Sequence, residues 1–358
     1  MTLEKLDIYR VRNIRQASLS PSPKINFISG SNASGKSALL EAIFILGRAR
    51  SFRSTSIKPV IQFEEADLVI SAKVRQTNSS ICSLGVQLNG QHTTIHINQE
   101  EIHSRSELAY LLPIQLLHPK SYLLLDAGPQ HRREFMDWGV FNMYPEFLPT
   151  WRTFKKSLQQ RNSLLKMKQT KQIDVWNQEL AQYGTIVANY REQYLKQLEP
   201  LVRHIANEFT VIDTPDIKII YGWDTTKSYL ECLQEDFEKD LRYGYTHSGP
   251  HRGDFILLCH NKVAKDYVSR GQLKLLTLAL KLAQVEILKS SLGQNVCILI
   301  DDITAELDAD NRTKLLGLLS QNKQQIFITT NEASEFGDIS LFDQHKVFHV
   351  EHGEIKSM

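Results

Sequence analysis

The chain has 358 residues, of which 42% are hydrophobic and 23% are charged, and its formal net charge is +2. These values are ordinary for a globular protein of one large or two medium domains, and any surface for a polyanion would have to be a local patch. Four widely spaced cysteines without a C-x-x-C pair exclude a zinc knuckle and a disulfide framework. Because the sequence has no apolar signal core and no run approaching 18 apolar residues, we expect a cytoplasmic protein with no membrane partner.

Strands are predicted for most of the first third of the chain. Ile25–Ser29 is a short apolar run that leads into a glycine, and Leu68–Val74 forms another strand. Ile81–Leu88 and Thr93–Ile97 flank the pair Asn89-Gly90, whose residues tolerate positive φ. This pattern predicts a β-hairpin with a type I′ turn.

A phosphate-binding loop follows the strand at Ile25–Ser29. The sequence Gly30-Ser31-Asn32-Ala33-Ser34-Gly35-Lys36-Ser37 fits G-x-x-x-x-G-K-[ST] without a gap, and an apolar helical run follows it. Glycines let backbone N–H groups converge on phosphate oxygens, and the N-terminus of the helix attracts the same anion. We predict an ATP site in which Lys36 reaches the β- and γ-phosphates and Ser37 ligates Mg²⁺.

The middle of the chain reads as helical. From about residue 130 to residue 209 the sequence is rich in Leu, Gln, Lys and Arg, and its apolar residues recur at helical spacing. We therefore predict a helical lobe, residues 121–209, between two parts of an ATPase lobe, residues 1–120 and 210–358.

One stretch of this helical region, Trp151–Ile173, is a candidate DNA-binding surface. It carries cations and no acid; the cations are Arg152, Lys155, Lys156, Arg161, Lys166, Lys168 and Lys171. Such a face, with Trp151 and Phe154 close by, would bind phosphates without sequence preference, and Arg152, Lys155, Lys156 and Arg161 are the predicted contacts. A solvated helix face is the alternative, and Arg48, Arg50, Arg53 and the pair Arg132-Arg133 are further candidates for DNA contact.

The last third supplies the acidic half of the nucleotide site. The apolar strand Val296–Ile300 ends in Asp301 and Asp302, and alternating strands and helices around it predict parallel strands of an α/β sheet. Beside the phosphate loop, Asp301 would hold Mg²⁺ and Asp302 would orient or deprotonate the attacking water. Lys36, Asp301 and Asp302 are thus the predicted catalytic residues.

Two further motifs resemble those of ABC-type ATPases. Ser269-Arg270-Gly271-Gln272 stands at the start of a helix and resembles the ABC signature, although an ordinary helix cap would show the same pattern. Ala305-Glu306-Leu307-Asp308 resembles the D-loop. The resemblance implies a head-to-tail dimer in which Ser269, Gly271 and Gln272 cap the ATP of the partner subunit.

Two departures from the transporter pattern concern hydrolysis. Asp302 stands where transporters carry a glutamate, and Asn331 stands where they carry a switch histidine. Both departures point away from transport and predict slow hydrolysis.

Stretches spread over nearly the whole chain resemble the RecF family of bacterial recombination mediators. They are Tyr9–Ile14, Gly47–Arg53, Gly128–Asp137, Tyr245–Arg252 and Ser269–Leu276. The resemblance implies an α/β fold, an ABC-type P-loop ATPase head with an inserted helical subdomain. It also implies an ATP-dependent homodimer that binds single-stranded, gapped or junction DNA, works with RecR and RecO, and helps to load recombinase during repair and the SOS response.

The same resemblance places Arg12 and Gln115, the latter as the Q-loop residue, among the residues that bind ATP. The alternatives are the ATP-binding subunit of a transporter and a DNA-binding scaffold that binds ATP without hydrolysing it. His247 and His251 have no accompanying nucleophile motif and are assigned to loop structure or phosphate contacts.

Overall fold

The computed structural model describes residues 1–209, 215–293, 295–302, 307–321, 324–332, 335, 339, 342 and 344–358, without the side chains of 291 and 292. The strands are β1 Thr2–Val11, β2 Ile14–Leu19, β3 Ile25–Ser29, β4 Asp67–Arg75, β5 Ile81–Asn89, β6 Thr93–Ile97, β7 Glu100–Ile102, β8 Ile114–Leu117, β9 Asp216–Ile220, β10 Asp254–Cys259, β11 Lys262–Val263, β12 Cys297–Ile300, β13 Ile326–Thr329, β14 His345–Glu351 and β15 Glu354–Ser357. The helices are α1 Lys36–Arg48, α2 Arg105–Leu111, α3 Leu123–Asp126, α4 Pro129–Met143, α5 Phe147–Met167, α6 Ile173–Glu208, α7 Tyr229–Glu235, α8 Phe237–Tyr243, α9 Ala264–Tyr267, α10 Arg270–Leu292 and α11 Ala309–Ser320.

The chain divides into two compact units. Both chain ends, Met1–Lys120 and Leu288–Met358, form the first unit, and Ser121–Ile287 forms the second. The expected boundary at residue 120 coincides with this division, but the second unit continues well past residue 209. It does so because β9 pairs with β10 and packs against α6, so that the chain up to the end of this sheet stays with the helices.

A sheet of parallel strands in the first unit brings distant parts of the chain together. Its order is β15-β14-β3-β13-β12-β8, and every neighbouring pair from β14 to β8 is parallel. This confirms the α/β fold expected from the strand–helix alternation. Because β13 lies between β3 and β12, the carboxyl ends of these three strands lie side by side at one edge of the sheet.

An antiparallel sheet in the order β2-β1-β4-β5-β6-β7 covers the other side of α1. The residues of α1 from Ala38 to Gly47 are all buried and, apart from Glu41, all apolar, as expected for a helix in a core. A Cβ on Gly47 would lie 2.6 Å from the Cδ1 atom of Ile114, so this helix approaches its neighbours too closely for a side chain there. The helix that follows the glycine-rich loop is thereby fixed in the core.

The predicted hairpin between β5 and β6 is present, but the type I′ turn is wrong. Asn89 and Gly90 have no positive φ. Instead, the Asn89 side-chain oxygen accepts hydrogen bonds from the backbone N–H groups of Gln91 (2.8 Å) and His92 (2.6 Å). Asparagine therefore stabilises this turn through its side chain and not through a left-handed backbone.

A buried ion pair organises the second unit. Arg161 of α5 is fully buried and donates hydrogen bonds to Asp240 at 2.6 Å, Asn177 at 2.7 Å and Thr246 at 2.7 Å. Removing one partner of such a pair would leave a buried charge without compensation, which costs about 3–5 kcal/mol. The pair thus ties α5 and α6 to the loop that follows α8.

The two histidines of that loop have structural roles. His247 Nδ1 lies 2.6 Å from an oxygen of Asp240, and His251 Nε2 lies 3.0 Å from the carbonyl oxygen of Thr246. Burial lowers the pKa of His251 to about 4, an effect that nearby Arg252 and Lys155 strengthen. His251 is therefore neutral near pH 7 and acts as an uncharged loop anchor.

We expect the stability of the protein to fall as the pH drops from about 6.5 towards 4, because the unfolded chain protonates His251 before the folded chain does. At pH 5 this one residue should lower the free energy of unfolding by about 2 kcal/mol relative to pH 7.5. Denaturant unfolding of the wild type and of His251→Gln, which keeps a hydrogen-bond donor, measures the effect. Equal pH dependence in both proteins would contradict the assignment, and His96→Gln, on the exposed side of β6, serves as the control.

A candidate nucleotide-binding site

The glycine-rich loop and the paired aspartates, about 260 residues apart in sequence, meet at the carboxyl edge of the parallel sheet. The loop follows β3, Asp301 follows β12, and Thr329 ends β13 between them. The backbone N–H of Asp301 donates to the carbonyl oxygen of Leu117 at 2.8 Å, which fixes the end of β12 against β8. The sheet order thus brings the glycine-rich loop and the two aspartates to one place.

Two glycines of the loop are required by their surroundings. Gly30 has φ of 149°, and a Cβ there would lie 2.3 Å from the carbonyl oxygen of Val350. Gly35 has φ of 122°, and its Cβ would lie 2.9 Å from the side chain of Asn13. Ala33 is also left-handed, at φ 64°. Runs of such backbone conformations turn successive N–H groups towards one point, which is the geometry of an anion-binding nest.

The N-terminus of α1 is open towards the same point. Its first turn contains no acid, and its cap residue Gly35 offers no side-chain hydrogen bond. The loop is held from behind, because Asn13 Nδ2 and the backbone N–H of Gly353 both donate to the carbonyl oxygen of Ser34 at 2.9 Å. The helix end is therefore free to accept an anion, as expected for a phosphate-binding loop.

Lys36 folds back over the loop. Its ammonium donates to the carbonyl oxygens of Gly30 (2.6 Å) and Ser31 (2.9 Å) and to the side-chain oxygen of Asn331 (3.2 Å). Burial lowers the pKa of Lys36, and the carboxylates of Asp302 and Asp301 oppose that shift. The lysine is a cation held on acceptors that a phosphate group could replace.

Asp301 and Ser37, the two predicted oxygen ligands of Mg²⁺, lie in contact with each other. The Ser37 hydroxyl donates to the Asp301 carboxylate at 2.9 Å. Burial raises the pKa of Asp301, and the hydrogen bonds from Ser37 and Thr329 oppose that rise. No group of three or more His, Cys, Asp or Glu side chains that could hold a metal occurs in the described parts of the chain. A hydroxyl and one carboxylate suit Mg²⁺, which keeps several waters and binds substrate phosphates.

Thr329 is a site residue that the sequence reading missed. Its hydroxyl accepts a hydrogen bond from the backbone N–H of Asp302 at 2.8 Å and donates one to the Asp301 carboxylate at 3.0 Å. Asp302 itself is exposed and left-handed, at φ 48°, a conformation that is strained for a residue with a side chain. Thr329 therefore holds both acids at once. A threonine ending a strand is too common a pattern to have revealed this role.

An open cavity of about 1400 Å³ extends from the loop, and both Asp302 and Thr329 line it. Arg53 and Lys58 add positive charge to its wall, and Arg53 opposes in part the burial that raises the pKa of Asp301. At the wall formed by the chain from Lys58 to Ala66, Phe63 is 87% exposed. The cavity thus combines a cationic phosphate region with an exposed aromatic ring.

Of the two further residues predicted to bind ATP, Arg12 lies at the cavity and Gln115 does not. Arg12 lines the cavity, but its guanidinium binds the buried carboxylate of Glu41 in α1 at 2.8 and 2.9 Å and the carbonyl oxygen of Pro59 at 2.6 Å. It therefore braces the cavity wall against α1. Gln115 is buried within β8 and is not among the residues that line the cavity. Their contacts with nucleotide stay predictions.

The signature-like segment begins α10. The Ser269 hydroxyl accepts from the backbone N–H of Gln272 at 3.2 Å, and the Gln272 side chain accepts from the backbone N–H of Ser269 at 2.9 Å. This is a reciprocal capping box. Gly271 is exposed, and a Cβ there would meet only the Ser269 hydroxyl, at 3.9 Å. Packing within the chain therefore does not require a glycine at this position. A glycine would be required if an external group came close to the start of α10.

The structure describes only Leu307 and Asp308 of the D-loop-like segment. Ala305 and Glu306 lie outside the described residues. Asp308 caps α11 by accepting a hydrogen bond from the backbone N–H of Asn311 at 2.8 Å.

The predicted DNA-binding residues separate into exposed and buried groups. Arg152, Lys155 and Lys156 are exposed on α5, as expected. The prediction for Arg161 is wrong, because its guanidinium is fully buried in the ion pair with Asp240. A charge count along the sequence cannot distinguish a cation facing solvent from one that faces a buried carboxylate three helices later.

The other proposed cation groups also change role. Arg132 is buried in a bidentate pair with Asp254 at 2.9 and 2.8 Å. Arg48 donates to the carbonyl oxygen of Ile114 at 3.1 Å, and Arg53 lines the nucleotide cavity. Of Arg48, Arg50 and Arg53, only Arg50 is an exposed cation that does not line the cavity.

Comparison with known proteins places the chain in a family. Residues 2–356 match the RecF/RecN/SMC N terminal domain family. The DNA replication and repair protein RecF of Vibrio parahaemolyticus is 37% identical over 361 residues, covering 100% of both proteins. The RecF of Shewanella frigidimarina is 39% identical over 357 residues, which is 99% of this chain and 98% of that protein.

Solved structures agree with this relationship. The structure of the recombination mediator protein RecF with ATP, from the RecFOR pathway, has a TM-score of 0.89 and 26% identity and covers 100% of this chain and 97% of that chain. The Smc head domain of Pyrococcus furiosus, bound to part of ScpA, shares the fold at a TM-score of 0.61 and 14% identity, with 100% and 96% of the chains covered. In the described residues no helix is long and apolar enough to cross a bilayer. The chain belongs to the RecF family of DNA replication and repair proteins, whose fold is that of the SMC-like ATPase heads.

Proposed function

We propose that the protein binds and slowly hydrolyses ATP with the residues at the carboxyl edge of the parallel sheet. The observation that carries this proposal is the junction in which Ser37 and Thr329 both donate to Asp301, since it joins the phosphate loop to the acid pair. A related RecF has been solved with ATP, which supports the same ligand here.

The residues of the cavity suggest how the chain would act on ATP. Backbone N–H groups of the loop would receive the phosphates, and Lys36 would exchange its carbonyl partners for phosphate oxygens. Ser37 and Asp301 would hold Mg²⁺, which when bound neutralises charge on the phosphates. Asp302, exposed and held by Thr329, would accept a proton from the attacking water. Aspartate in place of glutamate shortens that reach and supports slow turnover.

A dimer would form through the start of α10. The backbone N–H groups at the exposed N-terminus of α10, with Ser269 and the bare Gly271, form an end that attracts anions. We propose that this end caps ATP bound to a second copy of the chain. ATP binding would then close the dimer, and hydrolysis would open it.

DNA is the proposed substrate of this clamp, with RecR and RecO type mediators as partners in loading recombinase at gaps. Support comes from full-length similarity to DNA replication and repair proteins and from a solved relative of the RecFOR pathway. The exposed cations Arg152, Lys155 and Lys156 add positive surface on α5. Transport is not favoured, since the similarity to repair proteins spans the whole chain.

Substitution of Lys36 and of Asp302 should separate binding from hydrolysis. Lys36→Ala removes charge-assisted hydrogen bonds and should weaken ATP binding at least about tenfold. Asp302→Asn should keep ATP binding but lower phosphate release by roughly 10²–10⁴-fold, because the amide cannot accept the proton. Equilibrium binding of a fluorescent ATP analogue and a phosphate-release assay measure the two effects. If both variants and the wild type release phosphate at the same background rate, the protein is a scaffold that does not hydrolyse ATP.

Thr329→Val should slow phosphate release while leaving the fold intact. The variant loses the hydroxyl that holds both acids, and a lost hydrogen bond to a charged group corresponds to about 1.5–3 kcal/mol, or roughly 10- to 100-fold in rate. Thr329→Ser keeps the hydroxyl and should remain within a few-fold of the wild type. Similar losses in both variants would mean that Thr329 serves packing alone.

Ser269→Arg should prevent the ATP-dependent dimer. A long cation at the start of α10 blocks close approach by a second subunit, whereas Ser269→Thr keeps the cap and should dimerise. Sedimentation velocity with and without Mg·ATP reports the state, and thermal unfolding shows whether the altered cap, worth about 0.5–2 kcal/mol, unfolds the monomer. Normal dimerisation of Ser269→Arg would rule out this interface.

A further inference from the structure

The end of α8 and the loop that follows it present a row of aromatic rings to solvent. We call residues 242–247 the tyrosine loop. Tyr243 is 58% exposed and Tyr245 is 38% exposed, with their ring centroids 6.2 Å apart. Tyr245 lies 4.3 Å from the His247 ring, and the Arg252 guanidinium lies 5.4 Å from the centroid of Tyr245. Exposed rings in such a series offer flat faces to an external planar group.

Buried polar groups hold the tyrosine loop in place. Asp240 accepts hydrogen bonds from the backbone N–H of His247 at 3.0 Å and from Arg161 at 2.6 Å. Asn162 accepts from the backbone N–H and the hydroxyl of Thr246 at 2.8 and 2.7 Å. The backbone that carries the rings is therefore held before any ligand arrives, which reduces the ordering cost of binding.

Cations surround the exposed ring of Tyr243. A surface depression at this ring is lined by Lys168, Lys239 and Arg242, together with Leu241 and a single acid, Glu238. Lys166 lies alongside the loop, because a Cβ on Gly244 would lie 3.2 Å from its Cγ atom. The surface thus carries an excess of exposed positive charge beside an exposed aromatic face, a combination that suits a phosphate backbone bearing bases.

We propose that the tyrosine loop binds single-stranded DNA, with an unpaired base stacked on Tyr243 and the flanking phosphates on Lys168, Lys239 and Arg242. In a duplex the faces of the bases are covered by their neighbours, so that a surface ring can stack only on an unpaired base. This inference rests on the proposed DNA-binding function and names a surface for it. It also gives Arg161 a positioning role, since its buried ion pair fixes the loop.

Variants of Tyr243 test the stacking contact. Fluorescence anisotropy of the full chain would compare labelled oligothymidylate with a duplex of equal length over a series of salt concentrations. Tyr243→Leu should weaken oligothymidylate binding between about 5- and 100-fold and leave duplex binding unchanged. Tyr243→Phe keeps the ring and should bind like the wild type. Arg242→Gln should weaken binding to both DNAs and reduce the salt slope by about 1.

Three outcomes would overturn the proposal. In the first, Tyr243→Leu binds oligothymidylate as tightly as the wild type does. In the second, Tyr243→Leu loses as much affinity for the duplex as for the single strand. In the third, Tyr243→Phe loses as much affinity for oligothymidylate as Tyr243→Leu does. Should Tyr243→Leu fail to fold, photocrosslinking of the wild type to oligonucleotides containing 5-iodouracil decides: crosslinks at Tyr243 or Tyr245 support the proposal, and crosslinks elsewhere overturn it. A wild type that binds neither DNA would refute the proposed DNA-binding function itself, whereas binding that is indifferent to Tyr243 would refute only this surface.

Discussion

The hydrogen bond from Ser37 to the Asp301 carboxylate is the contact on which the rest of the site depends. It joins residues 264 positions apart at 2.9 Å. The contact exists because parallel strands β3, β13 and β12 end at one edge of the sheet, with Thr329 on the strand between the other two. Any shift of β13 would separate the phosphate loop from the acids, so the strand order itself maintains the chemistry.

The same site concentrates features that are unfavourable without a ligand. Asp301 is a carboxylate whose burial raises its pKa, Asp302 has a left-handed backbone, and burial lowers the pKa of Lys36. Each feature is compensated in part by a hydrogen bond from a neighbouring strand or loop. A polyanion with its metal would relieve two of them, because it brings negative charge to Lys36 and a cation to Asp301.

Buried charge serves a different purpose in the second unit. Arg161 and Arg132 look like surface cations in the sequence, yet each is buried against an aspartate. Arg161 was expected to contact DNA itself. Instead its ion pair holds the tyrosine loop, whose rings Tyr243 and Tyr245 are proposed to contact DNA. The helical unit thereby combines a rigid interior with a basic, aromatic surface.

The sequence by itself determined the phosphate loop, the acid pair, the strand–helix alternation and the family, because these depend on residues that are adjacent in the chain or on short stretches that resemble the family. Tertiary structure alone decided which cations face solvent, that Arg12 binds Glu41, that Thr329 holds both acids, and that the unit containing α5 continues to Ile287. These features arise from contacts between residues distant in sequence. Neither local propensity nor charge count specifies such contacts, since the partner of a side chain is set by the packing of whole elements.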